Sequence, residues 1–257
     1  MDDAFVVGGL GKVGLATRQA LDIPYYFDLK EANITLEEGA KKLFCIICLP
    51  TPTDEKGGQG KAVDVIRDYI KQIKEYGGRN IFVIRSTVLP GTCKALAEAT
   101  ETMVVSNPEF LSEATWEYDA LNPRIKVIGA DDIPSQKAVV NLWKGIKCKL
   151  EVVTDTATAE TIKYAFNTFA MLKVNFANII YDNCQKTGAD YETIRYALHR
   201  HPWGSKHHLR VLDKGGRGAG GRCLPKDVKA FASFTSSDFL KLLEKMNMDY
   251  LVASKKI

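Results

Sequence analysis

Ala4-Phe5-Val6-Val7-Gly8-Gly9-Leu10-Gly11-Lys12-Val13-Gly14 is a short apolar run that ends in a cluster of glycines. The run predicts a buried strand, and Leu15, Ala16 and Leu21 recur behind the glycines at helical spacing. Strand, glycine turn and helix are thus met in that order. Gly9, Gly11 and Gly14 fit G-x-G-x-x-G, a turn whose bare backbone approaches a pyrophosphate resting on the helix N-terminus. Gly9, Gly11, Lys12, Val13 and Gly14 are the expected contacts.

The next strand, Tyr25-Tyr26-Phe27, closes on Asp28, about 20 residues on, where the dinucleotide fingerprint expects an acid. A carboxylate there accepts from a ribose 2′-OH and repels a 2′-phosphate, which favours NAD over NADP. Lys30 is the nearby cation against that preference, and a glycine turn without a ligand is the competing reading.

Outward from this unit the chain alternates. Leu43 to Leu49 reads as a strand closing on Pro50-Thr51-Pro52, and the link from Asp28 predicts a trimmed crossover. Val63 to Tyr76 reads as an amphipathic helix. The strand Ile81-Phe82-Val83-Ile84 ends in Arg85-Ser86-Thr87-Val88-Leu89-Pro90-Gly91-Thr92, and Met103-Val104-Val105 ends in Ser106-Asn107-Pro108-Glu109-Phe110-Leu111-Ser112-Glu113. Arg124 to Ile128 and Leu150 to Val153 complete the set. Alternating strands and helices predict an α/β fold, a Rossmann-like doubly wound parallel sheet over residues 1–154. Ligands bind at the C-terminal ends of such strands. Thr51, Ser86, Thr87, Glu109 and Glu113 all follow strands there; each alone suits an ordinary loop or cap, and together they mark a site.

Thr156 to Lys186 carries apolar residues at helical spacing with no Gly or Pro before Gly188. This predicts a long central helix, a second helical domain over residues 155–257 and a homodimer interface. Lys163 and Asn167 are i and i+4 and share a face, although an ordinary solvated face would hold the same pair. Farther on, Gly218-Ala219-Gly220-Gly221-Arg222-Cys223-Leu224-Pro225-Lys226-Asp227 is a glycine loop entering a helix. Gly218, Gly220 and Gly221 permit close approach to a ligand. Pro225 suits the first helical turn, where a helix N-terminus with Arg222 and Lys226 favours a thiolate at Cys223. A small buried cysteine is the plainer alternative. From Arg195 to Lys226 there are eight Lys or Arg (195, 200, 206, 210, 214, 217, 222, 226), one acid, Asp213, and all four histidines (199, 201, 207, 208). That excess suits an anionic diphosphate. The histidines lack partner ligands at metal spacing, so no metal is expected. Phe239 to Leu251 predicts a last amphipathic helix.

The chain has 257 residues, 46% hydrophobic, and a net charge of +4. That length suits one large domain or two modest ones. The mild charge and the lack of an aromatic-interleaved basic motif argue against a nucleic-acid partner. Apolar runs are too short for a bilayer, and Met1-Asp2-Asp3 leads into a strand and not a signal peptide. The six cysteines, at 45, 48, 93, 148, 184 and 223, have no framework spacing and read as reduced thiols of a cytoplasmic protein. Cys45 and Cys48 lie three apart in a predicted strand and point to opposite faces, so they are not read as a redox or zinc pair.

These motifs together resemble the UDP-glucose/GDP-mannose dehydrogenase family of NAD-dependent sugar-nucleotide 6-dehydrogenases. The resemblance is carried by the Gly9 fingerprint, Ile47-Cys48-Leu49-Pro50-Thr51-Pro52, Ser86 to Thr92, Asn107 to Glu113, Ala159-Glu160-x-x-Lys163 with Asn167, and Gly220 to Asp227, in family order over nearly the whole chain. It implies oxidation of a nucleotide-sugar CH₂OH, most simply on a UDP-sugar, to a carboxylate with two NAD⁺ consumed. It further implies that Cys223 forms a thiohemiacetal and then a thioester. Lys163 and Asn167 would stabilise the oxyanion, Asp227 would place water or move a proton, and Glu109 would assist hydrolysis. Thr87 would orient water or cofactor, and Thr51, Ser86 and Glu113 would line the nicotinamide end. Gly218, Gly220 and Gly221, with Lys163 and Asn167, would meet the substrate.

Two departures stand out. Family members usually carry a third, nucleotide-binding domain, so a fragment, a short variant and half of a split enzyme are all open. The family's Arg-Ile-Gly segment aligns with Pro202-Trp203-Gly204, without the Arg. A β-hydroxyacid-type dehydrogenase using Lys163 and Asn167 for one hydride transfer, and a non-catalytic nucleotide-binding paralogue, remain as other readings.

Overall fold

The computed structural model describes residues 1–212 and 216–254. Two compact units are found: Met1–Pro52 with Gln59–Lys163, and Thr53–Gly58 with Tyr164–Ile257.

The first unit is built on seven strands: β1 (Ala4–Val7), β2 (Tyr26–Phe27), β3 (Phe44–Ile47), β4 (Ile81–Ile84), β5 (Met103–Ser106), β6 (Ile125–Gly129) and β7 (Leu150–Thr154). Their order in the sheet is β2-β1-β3-β4-β5-β6-β7. The helices α1 (Lys12–Leu21), α2 (Leu36–Gly39), α3 (Gly60–Glu75), α4 (Thr92–Thr100), α5 (Trp116–Leu121) and α6 (Ile133–Leu142) fill the connections. Strand side chains alternate between faces. Phe5, Val7, Cys45, Ile47, Phe82 and Ile84 therefore pack on one side with Ile66, Ile70 and Ile73 of α3. Ala4, Val6, Phe44, Ile46, Ile81 and Val83 pack on the other with Leu21, Val139, Leu142 and Trp143. Each of the three α3 isoleucines is fully buried, which contributes about 1.5–3 kcal/mol apiece relative to exposure.

Cys45 joins the first cluster and Cys48 the second, so they face opposite sides of the sheet. Burial drives the Cys48 thiol up to about 11 and that of Cys45 well above its ordinary value. The trimmed crossover after Asp28 is the single turn α2, fixed by a capping box between Thr35 and Glu38.

One expectation is corrected. The sheet is mostly and not wholly parallel, because β6 runs antiparallel to β5 through Ser106 and Gly129. A parallel return needs a crossover that lies over the sheet. The intervening helix α5 has six residues and packs on α1 instead.

The second unit is helical. It contains the later part of α7 (Thr156–Thr187), then α8 (Tyr191–Arg200), α9 (Leu224–Thr235) and α10 (Asp238–Ser254). At 32 residues α7 is about 48 Å long. The division between units falls after Lys163, within α7 and not at residue 154. Met171, Val174, Ala219, Val228, Ala232, Leu240 and Leu243 form one core, and Ala177, Cys184, Tyr191, Leu209 and Val211 a second. Thr53–Gly58 belongs here because Gly57, at φ +87°, lies close to the backbone of Lys229 in α9.

Candidate active site

In the first unit, the glycine turn brings the predicted dinucleotide residues together. A Cβ on Gly9 would lie 2.5 Å from the Tyr26 Cβ, and one on Gly14 would lie 2.2 Å from the Gly8 oxygen. Those two glycines are required by packing. Gly11 differs: its nearest neighbour would be 3.7 Å away, so nothing in the protein excludes a side chain there. Gly11 is the N-cap of α1, with no side-chain cap and no acid in the first turn. The helix start at Gly11, Lys12 and Val13 therefore offers backbone N–H groups to an anion. Asp28 reaches this turn, accepting from the Leu10 amide at 3.3 Å. These features fit the pyrophosphate and ribose of NAD. Gly8, outside the fingerprint, carries the positive φ of +79°.

Lys12 pairs with Glu113 at 3.3 Å, with both side chains more than half exposed. Thr51, Ser86 and Thr87 lie where β3 and β4 end, and their groups hold the two loops together. The Thr51 hydroxyl donates to the Thr87 carbonyl at 2.7 Å, and the Ser86 hydroxyl donates to the Leu49 carbonyl at 2.7 Å. Gln59, which sequence reading missed, donates to the same Thr87 carbonyl and accepts from the Leu89 amide.

Glu109 and Lys163 form a buried ion pair. The Lys163 ammonium donates to the Glu109 carboxylate at 3.1 Å and to its main-chain carbonyl at 2.7 Å, and lies 5.2 Å from the Phe110 ring centre. The Leu111 amide donates to the other carboxylate oxygen at 2.7 Å. Burial raises the carboxyl, but Lys163, the Leu111 amide and Arg85 outweigh it and hold Glu109 below its usual value. Glu109 is thus a carboxylate at neutral pH. Arg85 donates to the Asn107 side-chain oxygen at 2.7 Å, and Asn107 donates to the Val127 carbonyl, which braces the loop bearing Glu109.

Glu160 accepts from the Gly91 and Cys93 amides at 2.6 and 2.8 Å, where α4 begins. Burial nevertheless pushes its carboxyl up to about 7. Asn107 and Glu160 stand inside motifs quoted above, yet their partners are far off in sequence.

In the second unit, Cys223 is the exposed N-cap of α9. Asp227, one turn on, is 1% exposed. Its carboxylate accepts from Asn167 and from Lys226, each at 2.5 Å. Gly218 and Gly221 have φ of +82° and +79°. A Cβ on Gly220 would find only Leu251, at 3.9 Å, so Gly220 is open like Gly11.

The basic stretch is less available than its composition suggests. Arg195 pairs with Glu192 and Arg217 with Asp182. Asp213 and Lys214 lie outside the described residues, as do Lys255, Lys256 and Ile257. Among the described residues no group of three His, Cys, Asp or Glu is placed to hold a metal ion, and no helix is long and apolar enough to cross a membrane.

A dinucleotide turn, a buried lysine–glutamate pair and a cysteine at a helix start agree with the outcome of comparison. The chain belongs to the UDP-glucose/GDP-mannose dehydrogenase family: residues 30–147 match that family's NAD-binding domain and residues 157–249 its central domain. The glycine turn precedes the matched segment and stands on its own geometry.

UDP-glucose 6-dehydrogenase YwqF of Bacillus subtilis is 32% identical over 216 residues, covering 79% of this chain and 48% of that protein. The chain thus spans about half the length of the curated relatives it matches. A UDP-glucose dehydrogenase from Pyrobaculum islandicum superposes with a TM-score of 0.82 at 25% identity, over 98% of this chain and 68% of that one. The 3-hydroxyisobutyrate dehydrogenase of Mycobacterium tuberculosis gives a TM-score of 0.73 over 98% of this chain and 96% of that one; at 12% identity this shows the fold alone.

Proposed function

We propose that this chain takes part in the NAD-dependent oxidation of a nucleotide-sugar C6 hydroxymethyl group to a carboxylate, with a UDP-sugar as substrate. The reading rests most on Cys223, exposed at the start of α9 one turn before a buried Asp227 that Asn167 and Lys226 hold. Residues 1–154 would bind the cofactor and residues 155–257 would carry the nucleophile.

Bound NAD⁺ would supply the hydride acceptor for each of two oxidations, giving two NADH and two protons. Between them the Cys223 thiolate adds to the C6 aldehyde carbon. A C–S bond forms and the carbonyl π pair moves to oxygen, where Lys163 and Asn167 stabilise it. Loss of the second hydride from that carbon leaves a thioester on Cys223. Water, oriented by Thr87 and deprotonated with help from Glu109, attacks the thioester, and the C–S bond breaks to return the thiolate. Asp227 accepts or relays the proton. Thr51, Ser86 and Glu113 shape the nicotinamide end, and Gly218, Gly220 and Gly221 let the substrate approach the loop.

The free thiols Cys45, Cys48, Cys93, Cys148 and Cys184 support a cytoplasmic protein. Phe166, Phe169, Phe176 and Ile179 are exposed on one side of α7. That stripe supports a homodimer, and Phe169→Glu is expected to shift the protein to monomer in light scattering.

A one-hydride reaction on a small hydroxy acid is the second reading, favoured by the fold shared with 3-hydroxyisobutyrate dehydrogenase. The half-length span favours a third, in which a partner completes the enzyme or the chain only binds nucleotide. Counting NADH per substrate with purified protein and a panel of UDP- and GDP-sugars separates them. Two NADH and a uronic acid are expected. One NADH, from a small acid only, would sink the thioester route, and NAD binding without turnover points to a missing partner.

A further inference from the structure

The glycine loop ahead of Cys223 has a fixed root and an exposed tip. Ala219, at its root, is 4% exposed. Its amide donates to the Asn247 side-chain oxygen at 2.6 Å, and its carbonyl accepts from the Asn247 side-chain nitrogen at 3.0 Å. One side chain thus satisfies both backbone groups of a single residue. Asn247 is itself 1% exposed, and Asn175 of α7 donates to the same side-chain oxygen at 3.4 Å.

The neighbouring positions agree. Gly218 takes φ +82°, and a Cβ there would stand 3.2 Å from the Asn247 carbonyl oxygen. Arg217 donates to the Asn178 side-chain oxygen at 2.8 Å, and its amide donates to the Ser254 hydroxyl at 2.6 Å. Beyond this root, Gly220, Gly221, Arg222 and Cys223 are exposed.

Asn247 follows Leu240 and Leu243 on the buried side of α10. An apolar residue there would pack with the core those leucines join. It would also leave the Ala219 N–H and C=O buried without partners, at roughly 1–3 kcal/mol each. An aspartate would satisfy only the N–H. Asparagine alone among residues of this size presents a donor and an acceptor side by side. The hydrogen bonds reach the chain four residues before Cys223, at the point where the loop leaves the core.

We propose that Asn247 is a positioning residue: by holding both backbone groups of Ala219 it fixes the path of the glycine loop, and so where the Cys223 thiol meets the substrate carbonyl. This rests on the reading of Cys223 as nucleophile. Asn247 touches no reacting atom and acts through the loop.

The test uses the full chain with Asn247→Leu and the milder Asn247→Asp, each checked for folding by its melting curve. Hydrogen exchange of the peptide spanning residues 217–223 is measured first, and is expected to quicken at least tenfold in whichever variant folds. Turnover is measured next, as NADH per sugar nucleotide. Misplacing the thiol slows the second oxidation, so NADH per substrate falls from two towards one, aldehyde accumulates, and acid formation drops on the order of tenfold to a hundredfold. The Kd for NAD⁺ stays unchanged.

A merely structural role would lower both oxidations together and keep the ratio at two. Unaltered exchange in a folded variant, or two NADH at the wild-type rate, overturns the proposal. If wild type and Cys223→Ser make acid equally well, or wild type makes none, the reading of Cys223 has failed and the proposal falls with it. That result is recognisable because it does not depend on Asn247.

Discussion

The two units place their candidate groups by different means. In the first, side chains stand at strand ends and are engaged with one another: Thr51 with the Thr87 carbonyl, Ser86 with the Leu49 carbonyl, Lys163 with Glu109. In the second, Cys223 rides an exposed tip, and Arg217, Ser254 and Asn247 hold the root. Sheet register positions a strand end without help. A glycine loop has no register and needs dedicated polar side chains. Function and stability should therefore be hard to separate by mutation in the first unit and easier to separate in the second.

The largest expected effect lies in the second unit. Cys223→Ala should lower acid formation on the order of a thousandfold or more, as loss of a covalent nucleophile does. The melting temperature and NAD⁺ affinity should stay near wild type, because the side chain is exposed. Calorimetry with NAD⁺ and a carboxylate assay read the two halves apart. Undiminished acid production would end the thioester mechanism.

Lys163→Met tests the first unit and should fail to separate the two. It strands a buried carboxylate at Glu109, which costs about 3–5 kcal/mol. A double variant, Lys163→Met with Glu109→Gln, should recover much of that stability but no activity. In the wild type Glu109 sits below its usual value of 4.5. Its pairing therefore stabilises the fold above that pH and is lost as pH falls through the lower folded-state value. Acid unfolding monitored by circular dichroism should begin at higher pH in the Lys163→Met variant.

The same contrast governs what could be read from sequence. β1 and β4 were legible because strands buried on both faces are unbroken apolar runs. The direction of β6 was not, since an apolar run carries no sign of which way it points. The Glu109–Lys163 pair spans 54 residues, and local spacing cannot see it. Asn247 left a trace, a polar residue at i+7 on the apolar side defined by Leu240 and Leu243, but a lone asparagine in a helix does not name its partner. Gln59 left none, because its partners at Thr87 and Leu89 exist only once β3 and β4 are paired.

Glu160 sharpens the comparison by pH. Its carboxyl is raised from 4.5 to about 7 by burial, which outweighs two amide donors at the start of α4. The folded state then holds a proton that the unfolded chain has released, so stability falls as pH rises between about 4.5 and 7. The limit is about 1.4 kcal/mol per pH unit. Glu160→Gln should flatten that part of a melting-temperature profile. A profile unchanged by the substitution would mean that the amides keep Glu160 ionised.

The smallest effects come from two glycines of one motif. Gly14→Ala drives a Cβ to 2.2 Å from the Gly8 oxygen and 2.8 Å from the Gly9 Cα, both backbone atoms that cannot step aside. Overpacking of this kind costs about 1–3 kcal/mol. Gly11→Ala meets no atom closer than 3.7 Å, at a backbone φ of −70° that alanine adopts readily. As an N-cap change it should cost no more than about 1 kcal/mol. If the open space at Gly11 is where a pyrophosphate rests, the methyl group that the fold tolerates is the one the ligand does not. NAD⁺ affinity should then fall about tenfold in Gly11→Ala, equivalent to about 1.4 kcal/mol, while the melting temperature hardly moves. The opposite pattern, unchanged affinity in a stable Gly11→Ala protein, would show that the glycine turn serves the fold and that the dinucleotide lies elsewhere.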